Sequence, residues 1–436
     1  MAEDVKQGLE KGPEAAKSQP SGWVAAVGLV ERWLARAERV DTLLEGLAPN
    51  LGTQERARAQ QLFYGVVRWS SRIESALAGL MAHPPRTKVR AVLMIAGFEL
   101  LEGGADLTAK VIHHAVERAK TVCSAKEAGL VNAVARKMAA RLAEKPADVP
   151  TEFAHPEWLV ARWTQQFGAA TTRMLLEWNQ QPAPVYVRWR SAAPVPEFLA
   201  PTQWPGFFEV KAGKWDEIRR LVGEGALYVQ DPSTRLCLEM LAPQPGEVIL
   251  DACAAPGGKS LFIADLMKSG QIVALDEPAA PGKTDIRLVR LKENLSRAPA
   301  GVAVALVEAD LRKVNTVFYR NLNLPEAYDA VLLDAPCSNT GVMRHRIDVK
   351  WRLQDGDFAR HAEQQLELLH AAARLVRPGG RLVYSTCSVD AQENEQVIKA
   401  FFDSRAGGPF KLEKSTRAYP WQDGHDGAGA FLLTKQ

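Results

Sequence analysis

Two cysteines of the sequence occur in short, unusual contexts. Cys337 ends the segment Asp334-Ala-Pro-Cys337, and Cys387 lies within Ser385-Thr-Cys-Ser388. Each segment follows an apolar run, so each cysteine is expected just beyond the end of a strand. An ionised thiol can add to carbon 6 of a pyrimidine, which turns carbon 5 into a nucleophile able to accept a methyl group. The two motifs therefore predict covalent catalysis on an electron-poor ring.

A glycine-rich turn, Asp251-Ala-Cys-Ala-Ala-Pro-Gly-Gly-Lys259, precedes both cysteines. Gly257 and Gly258 let the backbone approach a ligand closely, and the start of the following helix favours an anionic group. The turn lacks both the G-x-G-x-x-G pattern and the first glycine of a Walker loop, so a carboxylate fits it better than a pyrophosphate. S-adenosylmethionine has that carboxylate together with ribose hydroxyls. The alternative is a tight strand-to-helix turn without a ligand.

The elements that position these residues alternate between strand and helix from about Ala226, which predicts a doubly wound parallel sheet. The predicted strands are 248–251, 272–276, 302–307, 328–334 and 381–385. The carboxyl ends of parallel strands converge on the ligand crevice of such a sheet, and Asp276 is placed there to accept hydrogen bonds from a ribose. The predicted cofactor-binding residues are Cys253, Ala254, Ala255, Pro256, Gly257, Gly258, Lys259, Asp276, Asp310 and Asp334.

The first third of the chain has helical periodicity and a basic charge. Trp23, Val27, Val30 and Leu34 form one apolar stripe, and Gly103-Gly104 interrupts a later one. Residues 22–145 hold 18 Lys and Arg against 12 Asp and Glu, a net +6, whereas the whole chain carries +3. Such a domain suits binding to a phosphate backbone, and a solvated Arg-rich surface is the equally weighted alternative. Residues 1–21 are predicted to be a disordered tail.

Residues 146–225 are predicted to form a connecting region of mixed helix and strand. Its strand, Val185 to Arg190, would place Tyr186, Arg188 and Arg190 on one face. An aromatic ring and two guanidiniums could hold RNA by stacking and charge. The sequence favours the plainer interpretation, a half-exposed strand with solvated arginines.

The composition excludes several classes of protein. Its 47% apolar and 24% charged residues are typical of a globular chain, and 436 residues predict two or three domains. Neither a secretory leader nor an apolar stretch of bilayer length is evident, so a cytoplasmic location and no membrane partner are expected. Five cysteines with no C-x-x-C pair, and no histidine at ligand spacing, predict reduced thiols and no metal site. Cys123, Cys237 and Cys253 are interpreted as packed or neutral positions.

Three motifs together resemble the Nop/Sun family of RNA cytosine-5 methyltransferases. They are 251–260, Leu333-Asp-Ala-Pro-Cys-Ser-Asn-Thr-Gly341, and Tyr384-Ser-Thr-Cys-Ser388 with Glu393-Asn-Glu395. The basic helical region, with Gly129-Leu-Val-Asn-Ala-Val134, resembles a NusB-like RNA-binding domain. That combination is similar to the RsmB-type branch of the family, which acts on bacterial small-subunit ribosomal RNA. The resemblance covers nearly all of the chain from Trp23 onward.

The resemblance implies an all-α NusB-like domain at 22–145 and a small α+β RNA-binding region at 146–225. It also implies a Rossmann-like methyltransferase domain at 226–436 that uses S-adenosylmethionine on RNA. It assigns Cys387 as the nucleophile and Cys337 as the group that assists release. Asp334 would hold the base edge and protonate the ring nitrogen. A monomer is expected.

Several points stay open at this stage. The loop 277–283 is longer than in the family, and Met343-Arg-His-Arg-Ile-Asp348 lacks its expected proline. Lys259 could bind either Asp334 or the cofactor carboxylate. Transfer RNA is an alternative substrate, and a non-catalytic ribosome-assembly protein or a methyltransferase acting on an amino or hydroxyl group are alternative functions.

Overall fold

The computed structural model describes residues 21–36, 38–211 and 213–436. The chain divides into two compact units, with the boundary between Ala154 and His155. The predicted disordered tail lies outside the described residues except for Ser21. Among the described residues no helix is both long and apolar enough to cross a membrane. The domain limits given above stay predictions.

The first unit is helical throughout its described part. Trp23, Val27 and Val30 are buried on the inner face of the first helix, as the apolar stripe predicted. Gly104, with φ of +62°, departs from helical geometry inside the long fifth helix. Its helices are α1 Gly22–Ala35, α2 Val40–Glu45, α3 Thr53–Arg68, α4 Ser70–Leu77, α5 Thr87–Val122, α6 Ala125–Ala143 and α7 Val149–Glu152.

The second unit begins with two helices and a small sheet. Its elements are α8 Glu157–Phe167, α9 Ala169–Gln180, β1 Tyr186–Trp189, β2 Leu199–Pro201, β3 Phe207–Val210, α10 Trp215–Gly223 and β4 Leu227–Val229. The strand order is β2-β3-β1-β4, and every neighbouring pair is antiparallel. Val187, Leu199 and Leu227 form part of its own small apolar core.

A larger sheet with flanking helices makes up the rest of the second unit. Its elements are α11 Arg235–Leu241, β5 Val248–Ala252, α12 Gly258–Met267, β6 Gly270–Asp276, α13 Ile286–Leu295, β7 Val302–Glu308, α14 Thr316–Asn321, β8 Tyr328–Asp334, α15 Val349–Arg352, α16 Asp357–Arg374, β9 Val376–Thr386, α17 Glu395–Phe402, β10 Phe410–Ala418, α18 Pro420–Asp423 and β11 Ala428–Lys435. Within the described residues the order is β10-β11-β9-β8-β5-β6-β7.

Strands β5 to β9 pair in parallel, and β10 and β11 add an antiparallel edge. The parallel strands are apolar on both faces because helices cover both. Leu250 and Val273 point into one core cluster, whereas Ile249 and Ile272 point into the other. The chain order reverses between β5 and β8, where an open sheet forms its ligand crevice. The predicted Rossmann-like fold is confirmed.

Both interpretations of Arg188 and Arg190, as RNA-binding groups and as solvated arginines, are wrong. The side chains of Arg188 and Arg190 are 5% and 6% exposed, and both bind the Asp265 carboxylate of α12, at 2.6 and 2.7 Å. Neither guanidinium is solvated, and neither is available to RNA. The period of two correctly put Arg188 and Arg190 on the same side of the chain, but that side packs against helix α12 of the large sheet instead of facing solvent.

We predict that Asp265→Asn destabilises the second unit by about 3–5 kcal/mol, because it leaves two buried guanidiniums without their carboxylate. Denaturant unfolding followed by circular dichroism measures the loss. The matched control is Asp403→Asn, which breaks an exposed ion pair with Lys399 and should cost less than about 1 kcal/mol. Equal losses in the two variants would contradict the structural role of Asp265.

Candidate active site

The two motif cysteines lie side by side at the ends of neighbouring parallel strands. β8 and β9 pair with Asp334 opposite Ser385, so the residues that follow each strand meet at one edge of the sheet. The Cys337 and Cys387 sulfurs are 3.2 Å apart. Cys337 is buried at 8% exposure, whereas Cys387 is half-buried. A substrate in the crevice therefore has access to the sulfur of Cys387 first.

Asn339 connects the two cysteines. The Cys387 thiol donates to Asn339 Oδ1 at 3.3 Å, and Asn339 Nδ2 donates to the carbonyl of Cys337 at 2.8 Å. The hydrogen bond with Cys387, together with burial, raises the pKa of the Cys337 thiol well above its usual range. Cys337 therefore keeps its proton at neutral pH and can donate its S–H to the neighbouring sulfur.

A buried carboxylate, that of Glu393, holds the two cysteine motifs together. It accepts hydrogen bonds from the backbone N–H and hydroxyl of Ser338, from the hydroxyl of Ser388 and from Gln365 Nε2. Ser338 follows Cys337 and Ser388 follows Cys387 in sequence. Glu393 is 0% exposed, so water cannot take its place as the acceptor for these donors. Glu393 belongs to one of the sequence motifs, but the sequence did not indicate its role.

We predict that Glu393→Gln lowers stability by about 2 kcal/mol, because the amide brings donor hydrogens to a site already filled with donors. The methyl transfer expected from the sequence motifs should slow at least ~10-fold as the cysteine loops shift. Glu395→Gln is the control, since Glu395 lies two positions on and pairs at the surface with Arg417. Thermal melting and methyl transfer measure both effects, and equal behaviour of the two variants would refute the role given to Glu393.

The loop after Cys337 returns to the end of β9. The Gly341 N–H donates to the carbonyl of Cys387 at 2.9 Å, and the Gly427 N–H donates to the carbonyl of Gly341 at 2.8 Å. A Cβ atom on Gly341 would lie 2.7 Å from the Cys387 oxygen, which explains a glycine here. Thr340 fixes the same loop by donating to Asp390 at 2.7 Å. The segment that starts at Met343 lacks the expected proline. It follows a loop that begins at Cys337 and is hydrogen-bonded to Cys387.

Lys259 forms an ion pair with Asp334. The Lys259 ammonium donates to Asp334 Oδ2 at 2.6 Å. The sequence left two partners open for this lysine, and the structure contains its pair with Asp334, the carboxylate at the end of β8. Burial opposes the charge of Lys259, but Asp334 outweighs it, and the pKa of the lysine rises, with a further contribution from Cys387. A cation therefore lies within electrostatic reach of both the Asp334 carboxylate and the Cys387 sulfur.

The side chains of Asp276 and Asn294 form hydrogen bonds with the backbone of the glycine turn. The Ala255 N–H donates to Asp276 Oδ2 at 2.8 Å, and Asn294 Nδ2 donates to the carbonyl of Pro256 at 2.7 Å. Gly257 has φ of +98°, and a Cβ on Gly258 would lie 2.8 Å from the ring of Tyr228. Both glycines are therefore required by the path of the turn. No side chain of the described residues caps α12, whose first N–H groups stay available to an anion.

The predicted acids all lie at the carboxyl ends of their strands, in different environments. Burial raises the pKa of Asp276, and it raises the pKa of Asp251, which accepts from Ser260, to about 7. Asp310 is bound by Arg312 at 2.9 Å, which lowers the pKa of Asp310 to about 2. The side chain of Cys253 packs against the apolar core, and its φ is +68°.

Comparison with known proteins identifies relatives of the chain. The family model described as 16S rRNA methyltransferase RsmB/F matches residues 238–422, and that of the NusB family matches residues 24–140. Ribosomal RNA small subunit methyltransferase B of Klebsiella pneumoniae is 32% identical over 395 residues, which are 86% of this chain and 88% of that protein. The protein of the same name from Salmonella paratyphi B is 32% identical and covers 93% of this chain and 96% of its own length.

Solved structures show the same fold. The crystal structure of PH0851 has a TM-score of 0.74 at 24% identity and covers 96% of this chain and 99% of that one. NSun6 from Pyrococcus horikoshii with SFG has a TM-score of 0.53 at 20% identity, with 64% of this chain and 98% of that one covered.

A NusB-type helical domain followed by a Rossmann-like domain with two cysteines at its crevice defines a class of RNA methyltransferase with S-adenosylmethionine as the methyl donor. The chain belongs to the RsmB/F family of 16S rRNA methyltransferases. The family and the fold class predicted from the motifs are confirmed.

Proposed function

We propose that the chain methylates carbon 5 of a cytosine in small-subunit ribosomal RNA, through a covalent bond between Cys387 and carbon 6 of the base. One observation carries this proposal. Two thiols lie 3.2 Å apart at the crevice edge of β8 and β9, and the buried one keeps its proton while the other is accessible. A methyltransferase that acts on an amino or hydroxyl group has no use for such a pair.

The sequence of steps follows from the positions of the side chains. The Cys387 sulfur, as thiolate, adds to carbon 6, and the electron pair of the carbon 5–carbon 6 double bond moves so that carbon 5 becomes nucleophilic. S-adenosylmethionine, when bound, supplies an electrophilic methyl group on a sulfonium. Once carbon 5 carries the methyl group, its proton leaves to a base, the double bond forms again and the Cys387 thiolate departs. The Cys337 S–H donates to that departing sulfur.

Asp334 is proposed to hold the Watson–Crick edge of the cytosine. Its side chain keeps 30% exposure beside the sulfur pair, and it ends the strand next to that of Cys387. The Lys259 ammonium fixes the carboxylate and offers a positive charge where the ring gains electron density after addition. The Lys259 ammonium supplies the proton that reaches the ring nitrogen through the Asp334 carboxylate, and the proton returns by the same path when the ring is restored.

The residues of the crevice fit S-adenosylmethionine. The open first turn of α12 suits its carboxylate, and a strand-end acid such as Asp276 suits its ribose hydroxyls. Residues 253–259, Asp276, Asp310 and Asp334 would hold the cofactor. The Asp276 oxygen that accepts from Ala255 couples the ribose position to the turn.

The helical unit is proposed to bind the RNA backbone. Its net charge of +6 supports a phosphate contact that weakens as salt rises, and its match to the NusB family supports residues 22–145 as an RNA-binding domain. The limits 146–225 and 226–436 for the other two domains, a monomeric state and a cytoplasmic location are part of the same proposal.

Mapping of 5-methylcytosine tests the proposed function. Total RNA from cells with and without the protein is analysed by bisulfite sequencing, and nucleosides from purified ribosomal and transfer RNA by mass spectrometry. The expected result is loss of 5-methylcytidine at a cytosine of small-subunit ribosomal RNA. A loss confined to transfer RNA would favour that substrate, and unchanged methylation with altered ribosome assembly would favour a non-catalytic role.

A further inference from the structure

One histidine lies between two carboxylates away from the sulfur pair. Asp231, His345 and Asp426 each offer a ligand atom, and these atoms all lie within 4.8 Å of one another. Asp231 precedes the short 3-10 helix 232–234, His345 belongs to the loop after Cys337, and Asp426 precedes β11. The three positions are so distant in sequence that no spacing rule applied to the sequence could join them.

Asp231 has an oxygen that nothing in the described chain satisfies. Its Oδ1 accepts from the backbone N–H groups of Ser233 at 2.8 Å and of Asp426 at 3.2 Å. Its Oδ2 is buried and has no hydrogen-bond partner among the described residues. Leaving a buried acceptor unpaired costs about 1–3 kcal/mol, and more when it is charged. The unpaired oxygen of Asp231 therefore indicates a missing positive partner.

The ring of His345 is oriented as a metal ligand is. Nε2 lies 3.2 Å from the carbonyl of Pro184, and Nδ1 lies 3.0 Å from Asp426 Oδ1. A histidine that binds a metal through one nitrogen commonly donates the other N–H to a backbone carbonyl, which fixes the ring. With the proton on Nε2, the Nδ1 lone pair is directed into the space between the two carboxylates.

The charges of the cluster favour a divalent ion over a proton. A protonated His345 offsets only one of the two carboxylate charges, and it leaves Asp231 Oδ2 without a partner among the described residues. A divalent ion with a neutral histidine offsets both charges and reaches the unpaired oxygen. The competing arrangement is an ion pair of protonated His345 with Asp426, whose Nδ1 and Oδ1 atoms are 3.0 Å apart.

We propose that Asp231, His345 and Asp426 bind one divalent transition-metal ion, with Zn²⁺ as the best match. One imidazole and two carboxylates are ligands that Zn²⁺ accepts, and three protein ligands leave one position for water. The site joins the start of the large-sheet region, the loop after Cys337 and the turn before β11. Gly427, next to Asp426, donates to Gly341, which in turn donates to the Cys387 carbonyl. The ion thus stabilises the backbone behind the nucleophile.

Zinc binding to the full chain tests the proposal. Isothermal titration of Zn²⁺ is carried out with Cys337→Ser and Cys387→Ser combined, so that the thiol pair cannot compete for the metal. One Zn²⁺ should bind per chain, and Asp231→Asn or His345→Gln should weaken binding at least ~100-fold. His370→Gln in the same background is the matched control, because His370 bonds to Ser404. Its binding should equal that of the parent.

The Co²⁺ spectrum and the thermal melting point provide further readouts. Co²⁺ should give d–d bands without a sulfur charge-transfer band, and Zn²⁺ should raise the melting point of the parent but not of Asp231→Asn. Asp231→Asn keeps the shape of the side chain, so its melting point without metal shows whether it folds. Absent Zn²⁺ binding in the parent, or binding that Asp231→Asn leaves unchanged, would overturn the proposal and favour the ion pair.

Discussion

Cys387→Ala is expected to lower the rate of methyl transfer by at least about 10⁴-fold, because it removes the sulfur that is proposed to bond to carbon 6. Cys337 cannot replace it. Cys337 is 8% exposed, and its pKa is raised by the hydrogen bond with Cys387 and by burial, so it presents a thiol and not a thiolate. Transfer of a labelled methyl group to small-subunit ribosomal RNA measures the loss.

The loss in Cys387→Ala should be confined to chemistry. Calorimetric binding of S-adenosylmethionine should stay within about 3-fold of the parent, since Cys387 lies outside residues 253–259. Cys123→Ala is the control, because Cys123 follows the last residue of α5 in the helical unit and its removal should leave methyl transfer unchanged. If Cys387→Ala still makes 5-methylcytidine at a comparable rate, the covalent mechanism is wrong.

The sequence predicted the convergence of the strand ends because that convergence is a property of parallel sheets. Apolar runs followed by Asp334 and Cys387 specify neighbouring buried strands, and the fold brings their ends together whatever the details of packing. The structure pairs Asp334 with Ser385 across β8 and β9. A chemical motif at the end of a buried strand is therefore readable from the sequence alone.

The residues that hold the two cysteine loops in place could not be predicted in the same way. Glu393 binds Ser338 and Ser388 through the backbone paths of two loops, and Asn339 reaches both cysteines only because its φ is +61°. These contacts depend on the conformation of loops and not on periodicity. The motif Glu393-Asn-Glu395 indicated that these residues are important. It did not indicate that the Glu393 carboxylate would be fully buried and bound to the residue that follows each cysteine.

Arg188 in β1 and Arg190 just after it show the limit of the period-two rule. The rule correctly placed Arg188 and Arg190 on one face, but it says nothing of what covers that face. Asp265, 77 and 75 positions further along the chain, covers it. β10 was missed for a related reason, since most of its side chains are polar and exposed on the sheet edge, so it lacks the apolar alternation that identifies a strand.

The loop after Cys337 connects the two cysteines to the rest of the second unit. Thr340 holds it to Asp390, Gly341 holds the Cys387 carbonyl, and Glu393 holds Ser338. Because these hydrogen bonds are buried, each is worth more than its equivalent in water. The sulfur-to-sulfur distance is thus determined by a network that covers both strand ends, and either thiol can be replaced without removing that network.

Cys337→Ala should therefore keep the fold and the nucleophile but lose the donor to the departing sulfur. Addition of Cys387 and methyl transfer can proceed, whereas elimination slows, so protein bonded to RNA should accumulate. The complex is measured as a band of reduced mobility on a denaturing gel that disappears after ribonuclease treatment. Over a single turnover, the amount of bonded RNA should approach the amount of active protein.

The double variant Cys337→Ala with Cys387→Ala separates a covalent bond from tight binding. It lacks the sulfur that bonds to carbon 6, so it should give no shifted band, although the helical unit and the crevice acids are intact. Cys337→Ala that turns over normally and releases methylated RNA, with no shifted band, would show that Cys337 has no part in release. Elimination would then depend on a proton donor other than Cys337.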